Sequence, residues 1–443
     1  MSLLWCELAW LGGDGAEAGV AIELEGEAIG SVTLGVATPP PGAARLPGLT
    51  IPGLANAHSH AFHRALRGFA QLDGGTFWRW REHMYSLAER LDPDTYLALA
   101  RATFAEMALA GITAVGEFHY LHHGPGGAPY SDPNELGKTL IAAAEQAGIR
   151  ISLLDTCYLH GGIDTAVEGT QRRFADASAE AWAARVSALE GGALARVGTA
   201  IHSVRAVDPE SAAVVAEWAR GREVPLHAHV SEQIAENDAS VGAYGRTPTQ
   251  LLADCGALDA RFTAVHATHL GDEEIGLLGR ARATCCLCPT TERDLADGVG
   301  PAHALAQAGS LLALGSDSHA VIDFFEEARA VELDQRLVGG ARGLHSAADL
   351  LRAATEDGHT SIGWAAAGRI EAGAPADLTT VAIDGVRLVG AAERHPVEAL
   401  VFAATAADVR RVIVGGRSVV VDGAHVEVDV AAELREAIAG VMP

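Results

Sequence analysis

Short apolar runs alternate with longer amphipathic segments along the chain from about residue 50 to about residue 365. Continuous apolar runs of this kind are typical of strands that are buried on both faces, as in a parallel sheet. We predict eight such strands, most of them bounded by glycine, proline or polar turns: 49–55, 112–118, 149–155, 196–201, 224–229, 262–266, 283–288 and 310–314.

The segments between these runs carry the start and stop signals of helices. Asp92 and Pro93 open a segment that Gly111 ends, and Asp208 opens another segment in the same way. An acidic residue followed by proline is typical of a helix start, and glycine is typical of the position just past a helix end. Eight strands that alternate with helices predict an α/β fold of the TIM-like (β/α)₈ barrel type.

The two ends of the chain do not follow this alternation. Residues 1–50 and 370–443 are richer in valine and glycine, and they contain short strand-like runs such as 19–24 and 409–414. We expect the two ends to pair into one small β-sandwich domain beside the barrel, which then spans residues 51–369.

Length and charge narrow the class of protein. At 443 residues the chain is too long for one small core. Its formal net charge of -25 argues against nucleic acid or an anionic membrane as a partner. No apolar stretch is long enough to span a bilayer, and no basic region precedes an apolar one at the N-terminus. We therefore expect a globular, cytoplasmic protein.

The six cysteines are irregularly spaced, so a disulfide framework is not expected. Cys285 and Cys288 form a C-x-x-C pattern that could indicate redox chemistry or a structural zinc site. They lie in an apolar run that proline ends, however, and no second cysteine pair exists to complete a four-cysteine site. We interpret them as small buried hydrophobic residues.

Histidines and an aspartate stand at the ends of the predicted strands. His58 and His60 close the first run, and alternate residues of a strand face one side, so both can bind a single metal ion. His229, His266 and Asp317 end the fifth, sixth and eighth runs. In a barrel of this type the active site lies at the carboxyl ends of the strands, where all five residues are predicted to meet.

This order of residues resembles that of the amidohydrolase superfamily, and the resemblance covers essentially the whole chain. The superfamily has an H-x-H after strand one, a histidine after strands five and six, and an aspartate after strand eight. The resemblance implies that the metal ligands are His58, His60, His229 and Asp317. It implies a different role for His266, close to the reacting atoms.

The resemblance also bears on the number of metal ions. Members of the superfamily with two metals usually bridge them with a carboxylated lysine from strand four. Lys138 is the only lysine of this chain, and it lies before strand three in a predicted helix. We therefore expect one divalent ion per subunit, with Zn²⁺ as the expected metal and Fe²⁺ or Mn²⁺ also compatible with the ligands.

Glu232 lies three residues beyond His229, and this H-x-x-E pattern resembles the deaminase branch of the superfamily. A bound metal ion lowers the pKa of water and so supplies a nucleophile at neutral pH. Replacing nitrogen by oxygen on carbon also needs a proton carried from that water to the leaving nitrogen, which a nearby carboxylate can do. We predict Glu232 as this proton carrier, with His266 and Asp317 orienting the nucleophile.

The other histidines near strand ends have weaker claims. We place His227 on the opposite face of its strand from His229 and expect it to pack or to support a ligand. We expect His269 and His319 to be structural or supporting residues as well.

Four further segments, at 60–65, 77–85, 117–120 and 202–207, are similar to members of the deaminase branch that deiminate N-formimidoyl-L-glutamate. The resemblance implies that the substrate is a small dicarboxylate with an amidine-type C=N group. The implied products are N-formyl-L-glutamate and ammonia. It also implies a place in histidine degradation and a homodimer.

A dianionic substrate needs local cations in so acidic a protein, and arginine can bind a carboxylate through two parallel hydrogen bonds. We predict that Arg205 binds one carboxylate and Arg81 the other, with Arg79 as the nearby competitor of Arg81. Tyr120 is predicted to donate a hydroxyl hydrogen bond. His63 stands where some members have a glutamine that helps to bind substrate, so its role in affinity or substrate choice is open.

Two alternatives remain at this point. One is another mononuclear amidohydrolase that deaminates or dechlorinates a flat heterocycle, for which aromatic or amide contacts should replace the arginines. The other is a catalytically inactive barrel used as a scaffold, although such proteins typically lose their metal ligands.

Overall fold

The computed structural model describes residues 2–74 and 77–442, which form two eight-stranded sheets surrounded by helices. The strands are β1 (Leu3–Trp10), β2 (Ala16–Glu25), β3 (Ala28–Thr33), β4 (Ala44–Pro52), β5 (Leu54–Ser59), β6 (Ile112–His119), β7 (Arg150–Cys157), β8 (Ala195–Ile201), β9 (Leu226–Val230), β10 (Phe262–His266), β11 (Thr284–Leu287), β12 (Leu311–Leu314), β13 (Leu378–Val381), β14 (Val409–Val414), β15 (Arg417–Val421) and β16 (Ala424–His425).

Strands β5 to β12 form one parallel sheet in which neighbours along the chain are also neighbours in space. The last strand returns to the first, because the N–H groups of Ser316 and Asp317 both donate to the His58 carbonyl over 3.1 Å. The sheet is therefore a nearly closed barrel, as predicted for a TIM-like fold.

The first predicted strand, 49–55, is wrong in its bounds because it combines two strands. Strand β4 ends at Pro52 and pairs with β13 of the other sheet, whereas β5 begins the barrel at Leu54. Gly53 lies between them, and a Cβ at this position would collide with the Thr113 side chain. An apolar run without a polar turn gives no sign of such a transfer between sheets.

The second sheet takes strands from both chain ends, in the order β16-β15-β14-β13-β4-β1-β2-β3, so the predicted pairing of the ends is confirmed. Strand β4 runs parallel to β1 and antiparallel to β13, which joins the N-terminal to the C-terminal segment. A buried ion pair ties this sheet to the barrel: Arg150 of β7 contacts Asp377, next to β13, over 2.7 Å.

Helices cover the outside of the barrel, and the two whose starts were predicted begin at their predicted caps. Asp92 accepts a hydrogen bond from the Thr95 amide (2.8 Å), and Asp208 accepts one from the Ser211 amide (3.0 Å). The helices are α1 (Phe77–Arg90), α2 (Pro93–Leu109), α3 (Glu135–Ala147), α4 (Ala179–Val186), α5 (Pro209–Arg222), α6 (Ile234–Tyr244), α7 (Pro248–Asp254), α8 (Asp272–Ala281), α9 (Pro289–Asp294), α10 (Ala302–Ala308), α11 (Phe324–Gly339), α12 (Ala347–Ala354), α13 (Glu356–Ser361), α14 (Pro396–Ala403) and α15 (Val430–Val441). Short 3₁₀ segments lie at Ala61–Leu66, Phe69–Gly74, Pro125–Gly127, Gly169–Arg173 and Ala406–Asp408.

The cysteines of the C-x-x-C pattern belong to the hydrophobic core, as predicted. Cys285 and Cys288 are buried free thiols, and Cys288 packs in an apolar cluster with Ile362 and Trp364. None of the helices within the described residues combines the length and apolar character needed to cross a bilayer.

Candidate metal centre and active site

The five predicted strand-end residues meet at the carboxyl end of the barrel, and all five are buried. The Asp317 carboxylate lies 3.3 Å from His58 Nε2 and 3.4 Å from His60 Nε2. The Nε2 atoms of His58 and His229 are 3.2 Å apart. The ring of His266 is slightly farther away, with Nε2 3.9 Å from the second Asp317 oxygen.

The hydrogen bonds of these histidines show that the cluster is built for a cation. His60 donates from Nδ1 to the Phe118 carbonyl (2.9 Å), and His229 donates from Nδ1 to the His202 carbonyl (2.8 Å). Because each Nδ1 carries the proton, each Nε2 has a free lone pair directed at its neighbours. Lone pairs that face one another and a buried carboxylate repel unless a positive ion lies among them, so this donor set fits a divalent metal ion.

Burial keeps these rings neutral, which is the form that binds a metal. It lowers the pKa of His58 to about 3, and it lowers the pKa values of His60 and His229 below the usual range.

The backbone is unusual at three of these strand ends. Ser231, after β9, has φ 52°, His266, the last residue of β10, has φ 67°, and Asp317, after β12, has φ 40°. Residues other than glycine rarely adopt this left-handed conformation, and such positions concentrate at functional sites. The chain therefore turns sharply where the side chains must point into the barrel mouth.

His266 differs from the other three histidines in its partner. Its Nδ1 donates to the carboxylate of Glu292 (3.4 Å), which also accepts the Cys288 amide (2.9 Å). Burial alone would lower the pKa of His266, but the carboxylates of Glu292, Glu232 and Asp317 outweigh it and raise this pKa well above the usual range. His266 is thus placed to be a proton donor beside the cluster, and Glu292 is a partner that the sequence did not reveal.

Glu232 lies two residues after the end of β9, is 8% exposed, and lines the same cavity as His229 and Asp317. Its carboxylate lies 3.8 Å from Arg205. The predicted proton carrier and a predicted carboxylate-binding residue are therefore neighbours, which the spacing along the chain did not show.

Arg205 is held between two acids. Its Nε lies 3.4 Å from Glu236 of helix α6, and its Nη2 contacts Glu232. Burial would lower the pKa of Arg205, but the two glutamates raise it, so the guanidinium stays charged. Glu236 is a second partner that the sequence analysis missed.

A cavity of about 420 Å³ extends outward from the metal centre, a size that suits a small-molecule ligand. His63 and Tyr120 form one wall, where His63 Nε2 is 2.9 Å from the Tyr120 hydroxyl. Arg81 of helix α1 forms another wall and donates from Nε to the Tyr85 hydroxyl (2.7 Å). The Arg79 side chain lies outside the described part of the structure.

Several cavity residues were not predicted. They are aromatic rings and one imidazole that line the same cavity as the metal centre and the two arginines: Trp80, Tyr85, Tyr158, Phe174 and His202. His202 comes directly after β8, so the same strand-end rule that located His229 could have found it.

The structure corrects the strand face that we expected for His227. His227 does not lie on the opposite face of β9, because residues two apart on a strand face the same side. Pairing with β10 sets His227 beside Thr263 and His229 beside Val265, one layer apart. His227 is nevertheless buried and bonds through Nε2 to the Ser361 carbonyl (2.9 Å), so its predicted packing role is confirmed.

Lys138 lies on helix α3, where its ammonium group pairs with Asp132 on the protein surface. It therefore supplies no bridging ligand to the centre described above.

Comparison with known proteins places these features in a family. Residues 49–419 match the model of the amidohydrolase family. A formimidoylglutamate deiminase of Pseudomonas aeruginosa is 38% identical over 400 residues, which are 87% of either chain. Among solved structures, an amidohydrolase from Brucella melitensis superposes with a TM-score of 0.92 at 33% identity, covering 100% of both chains. An adenosine deaminase from Xanthomonas campestris with bound zinc gives a TM-score of 0.86 at 25% identity, over 99% of this chain and 97% of the other.

Proposed function

Since the chain belongs to the amidohydrolase family, we propose that it hydrolyses the amidine C–N bond of N-formimidoyl-L-glutamate, releasing N-formyl-L-glutamate and ammonia. One observation carries the proposal: Glu232, Arg205 and Arg81 surround a single cavity together with three of the four predicted metal ligands. Those two cations match the two carboxylates of the substrate.

We propose one Zn²⁺ ion per subunit, with Fe²⁺ or Mn²⁺ as possible substitutes, held by His58, His60, His229 and Asp317. A zinc-bound structure of a relative supports the choice of metal. When bound, such an ion lowers the pKa of water and polarises the C=N group.

The protein residues then move the protons. Glu232 takes one proton from the attacking water as the water oxygen bonds to the formimidoyl carbon, and delivers that proton to the imino nitrogen. The second proton passes from the new hydroxyl group through Glu232 to the same nitrogen as the C–N bond breaks. Asp317 and His266 orient the water, and His266 stabilises the charge that develops on the heteroatoms bonded to the tetrahedral carbon. Ammonia leaves, and the formyl oxygen comes from water, so atoms balance.

Substrate binding is assigned to the outer part of the cavity. Arg205 binds one carboxylate, which weakens its contacts to the two glutamates that hold it in the free protein. Arg81 binds the other, and the hydrogen-bonded pair of His63 and Tyr120 contacts the substrate between them.

The test is ammonia release from N-formimidoyl-L-glutamate by zinc-loaded protein. Glu232→Gln should lower the rate by about 10²–10⁴-fold, because general acid–base catalysis contributes that much. Glu217→Gln, on the exposed face of helix α5, is the matched control and should keep full activity. Absence of ammonia with metal bound would overturn the substrate, and an active Glu232→Gln variant would overturn the proton carrier.

Deamination of a flat heterocycle is the second candidate, because the rings of Tyr120, Tyr158 and Phe174 line the cavity and could stack on such a substrate. Arg205→Gln separates the two. It should abolish turnover of a dicarboxylate and leave turnover of a neutral heterocycle intact. An inactive scaffold is disfavoured, since the chain retains the predicted metal ligands.

The finer expectations stay predictions: a homodimer, a cytoplasmic location, a role in histidine degradation, and domain boundaries at residues 50/51 and 369/370. The likeness to a formimidoylglutamate deiminase supports the role in histidine degradation. The boundaries are supported by the end of β4 at Pro52 and the start of β13 at Leu378.

A further inference from the structure

A buried glutamine stands behind two tyrosines of the cavity wall. Gln171 is 7% exposed, and its Nε2 lies 3.2 Å from the Tyr85 hydroxyl and 3.2 Å from the Tyr158 hydroxyl. The same nitrogen lies 3.1 Å from the Gly161 carbonyl. Contact with one shared nitrogen keeps the two tyrosine oxygens close together.

The direction of these hydrogen bonds can be assigned. The Glu168 amide donates to Gln171 Oε1 (3.2 Å), which identifies that atom as the oxygen and Nε2 as the donor. The three oxygens around Nε2 share its two hydrogens, and an amide nitrogen cannot accept, so neither hydroxyl donates to Gln171. Tyr85 also accepts from Arg81 Nε over 2.7 Å. Each tyrosine keeps its own O–H hydrogen to donate elsewhere.

Those two hydrogens have one direction left. Among the side chains of residues 2–72 and 80–442 and the carbonyls of the described residues, none accepts from either hydroxyl, and both tyrosines line the cavity. Burial raises the pKa of Tyr158 above its usual value, so this hydroxyl remains a donor at neutral pH.

We propose that Tyr85 and Tyr158 together donate hydrogen bonds to one carboxylate of the substrate, and that Gln171 is the positioning residue that turns both hydroxyls toward it. The inference deepens the proposed function and rests on it. Two adjacent O–H donors match the two oxygens of a carboxylate, and the Arg81 guanidinium beside Tyr85 supplies positive charge.

The experiment uses zinc-loaded protein with the full substrate and with two analogues, one lacking the α-carboxylate and one lacking the side-chain carboxylate. Tyr158→Phe should raise KM for the full substrate by about tenfold to a hundredfold, the size of a hydrogen bond to a charged group, and leave kcat nearly unchanged. With the analogue that lacks the bound carboxylate, the wild-type and variant proteins should have equal KM values. That equality identifies which carboxylate the tyrosines hold.

Gln171→Leu should raise KM in the same substrate-dependent way by a smaller factor, because it frees the hydroxyls without removing them. A purely structural role would lower kcat for all three substrates alike and would overturn the assignment. Tyr244→Phe, at the end of helix α6 and outside the cavity wall, is the matched control. An unchanged KM in Tyr158→Phe and Tyr85→Phe would also overturn it.

Failure of the proposed function would look different. Wild-type protein would then release no ammonia from the full substrate at all. Calorimetric binding of N-formyl-L-glutamate, a dicarboxylate with the same two charges, would still test the tyrosines. Weaker binding to Tyr158→Phe than to the wild type would support the carboxylate site, and equal binding would overturn it.

Discussion

Two buried clusters of this protein combine two histidines with an aspartate, and in both the ligand-type atoms lie within 4.8 Å of one another. One, with His58, His60 and Asp317, lies inside the barrel mouth. The other consists of His119 at the end of β6, His122 in the loop after β6, and Asp155 of β7. It lies beside helices α3 and α4. Composition and spacing alone would rate them equally as metal sites.

Their partners separate them. Asp155 accepts two hydrogen bonds from Arg185, each 2.9 Å, and a third from Trp182 (3.0 Å). Asp317 faces only imidazole nitrogens among the described residues. The Asp155 carboxylate has its cation, Arg185, built into the protein, whereas the Asp317 carboxylate needs a cation from outside. A buried cluster indicates a ligand when its charges and lone pairs are left unmatched, and a structural role when they are matched.

The largest expected effect comes from removing the unmatched carboxylate. Asp317→Asn should lose the metal, measured by elemental analysis, and ammonia release should fall to background, because the only anionic ligand is gone. The metal-free variant should melt no lower than metal-free wild type, since a buried charge without a matching cation has been removed. Asp155→Asn is the paired control: it should retain metal and lose stability. Stoichiometric metal in Asp317→Asn would contradict the assignment.

Next in size is the loss of the matched cation. Arg185→Met should lower the free energy of unfolding by about 3–5 kcal/mol, because it leaves Asp155 and Asp176 as uncompensated buried charges. Urea denaturation of metal-loaded protein measures this, and metal content should stay at the wild-type value. If Arg185→Met is as stable as the wild type, the ion pair between Arg185 and Asp155 does not stabilise the fold.

Metal removal should act on one cluster alone. Chelation should lower the melting temperature, since an ion that binds only the folded state at a hundred times its Kd stabilises it by about 2.7 kcal/mol. Titration of the stripped protein should restore one ion per chain, and His119→Gln should leave that number unchanged. If the wild type binds a second ion and His119→Gln loses it, the cluster of His119, His122 and Asp155 also binds metal.

The smallest effect is on acid stability. Burial alone would raise the pKa of Asp155, but Arg185 lowers it to about 2. The unfolded chain therefore binds this proton first as pH falls, so the contribution of about 2–3 kcal/mol is complete above pH ~4 and is lost towards pH ~2. Unfolding curves of wild type and Asp155→Asn should converge over that window. Curves that stay parallel would place the acid sensitivity elsewhere.

Sequence patterns located the predicted metal ligands because strand ends in a parallel barrel are marked twice, by the end of an apolar run and by a polar residue of the right type. The same reasoning found helices α2 and α5 from their caps. It failed at residues 49–55, where one apolar run serves two sheets, and at His227, where the face was assigned wrongly.

The sequence by itself therefore determined the barrel, the pairing of the chain ends and the set of strand-end residues, because these follow from local periodicity and residue type. Only the tertiary structure decided that Gln171 lies against Tyr85, 86 positions away, and that Glu236 holds Arg205. Such contacts depend on how loops and helices pack over the barrel mouth, and loops have no period to read. The structure also decided which buried cluster is complete, since a matched and an unmatched carboxylate differ only in their neighbours in space.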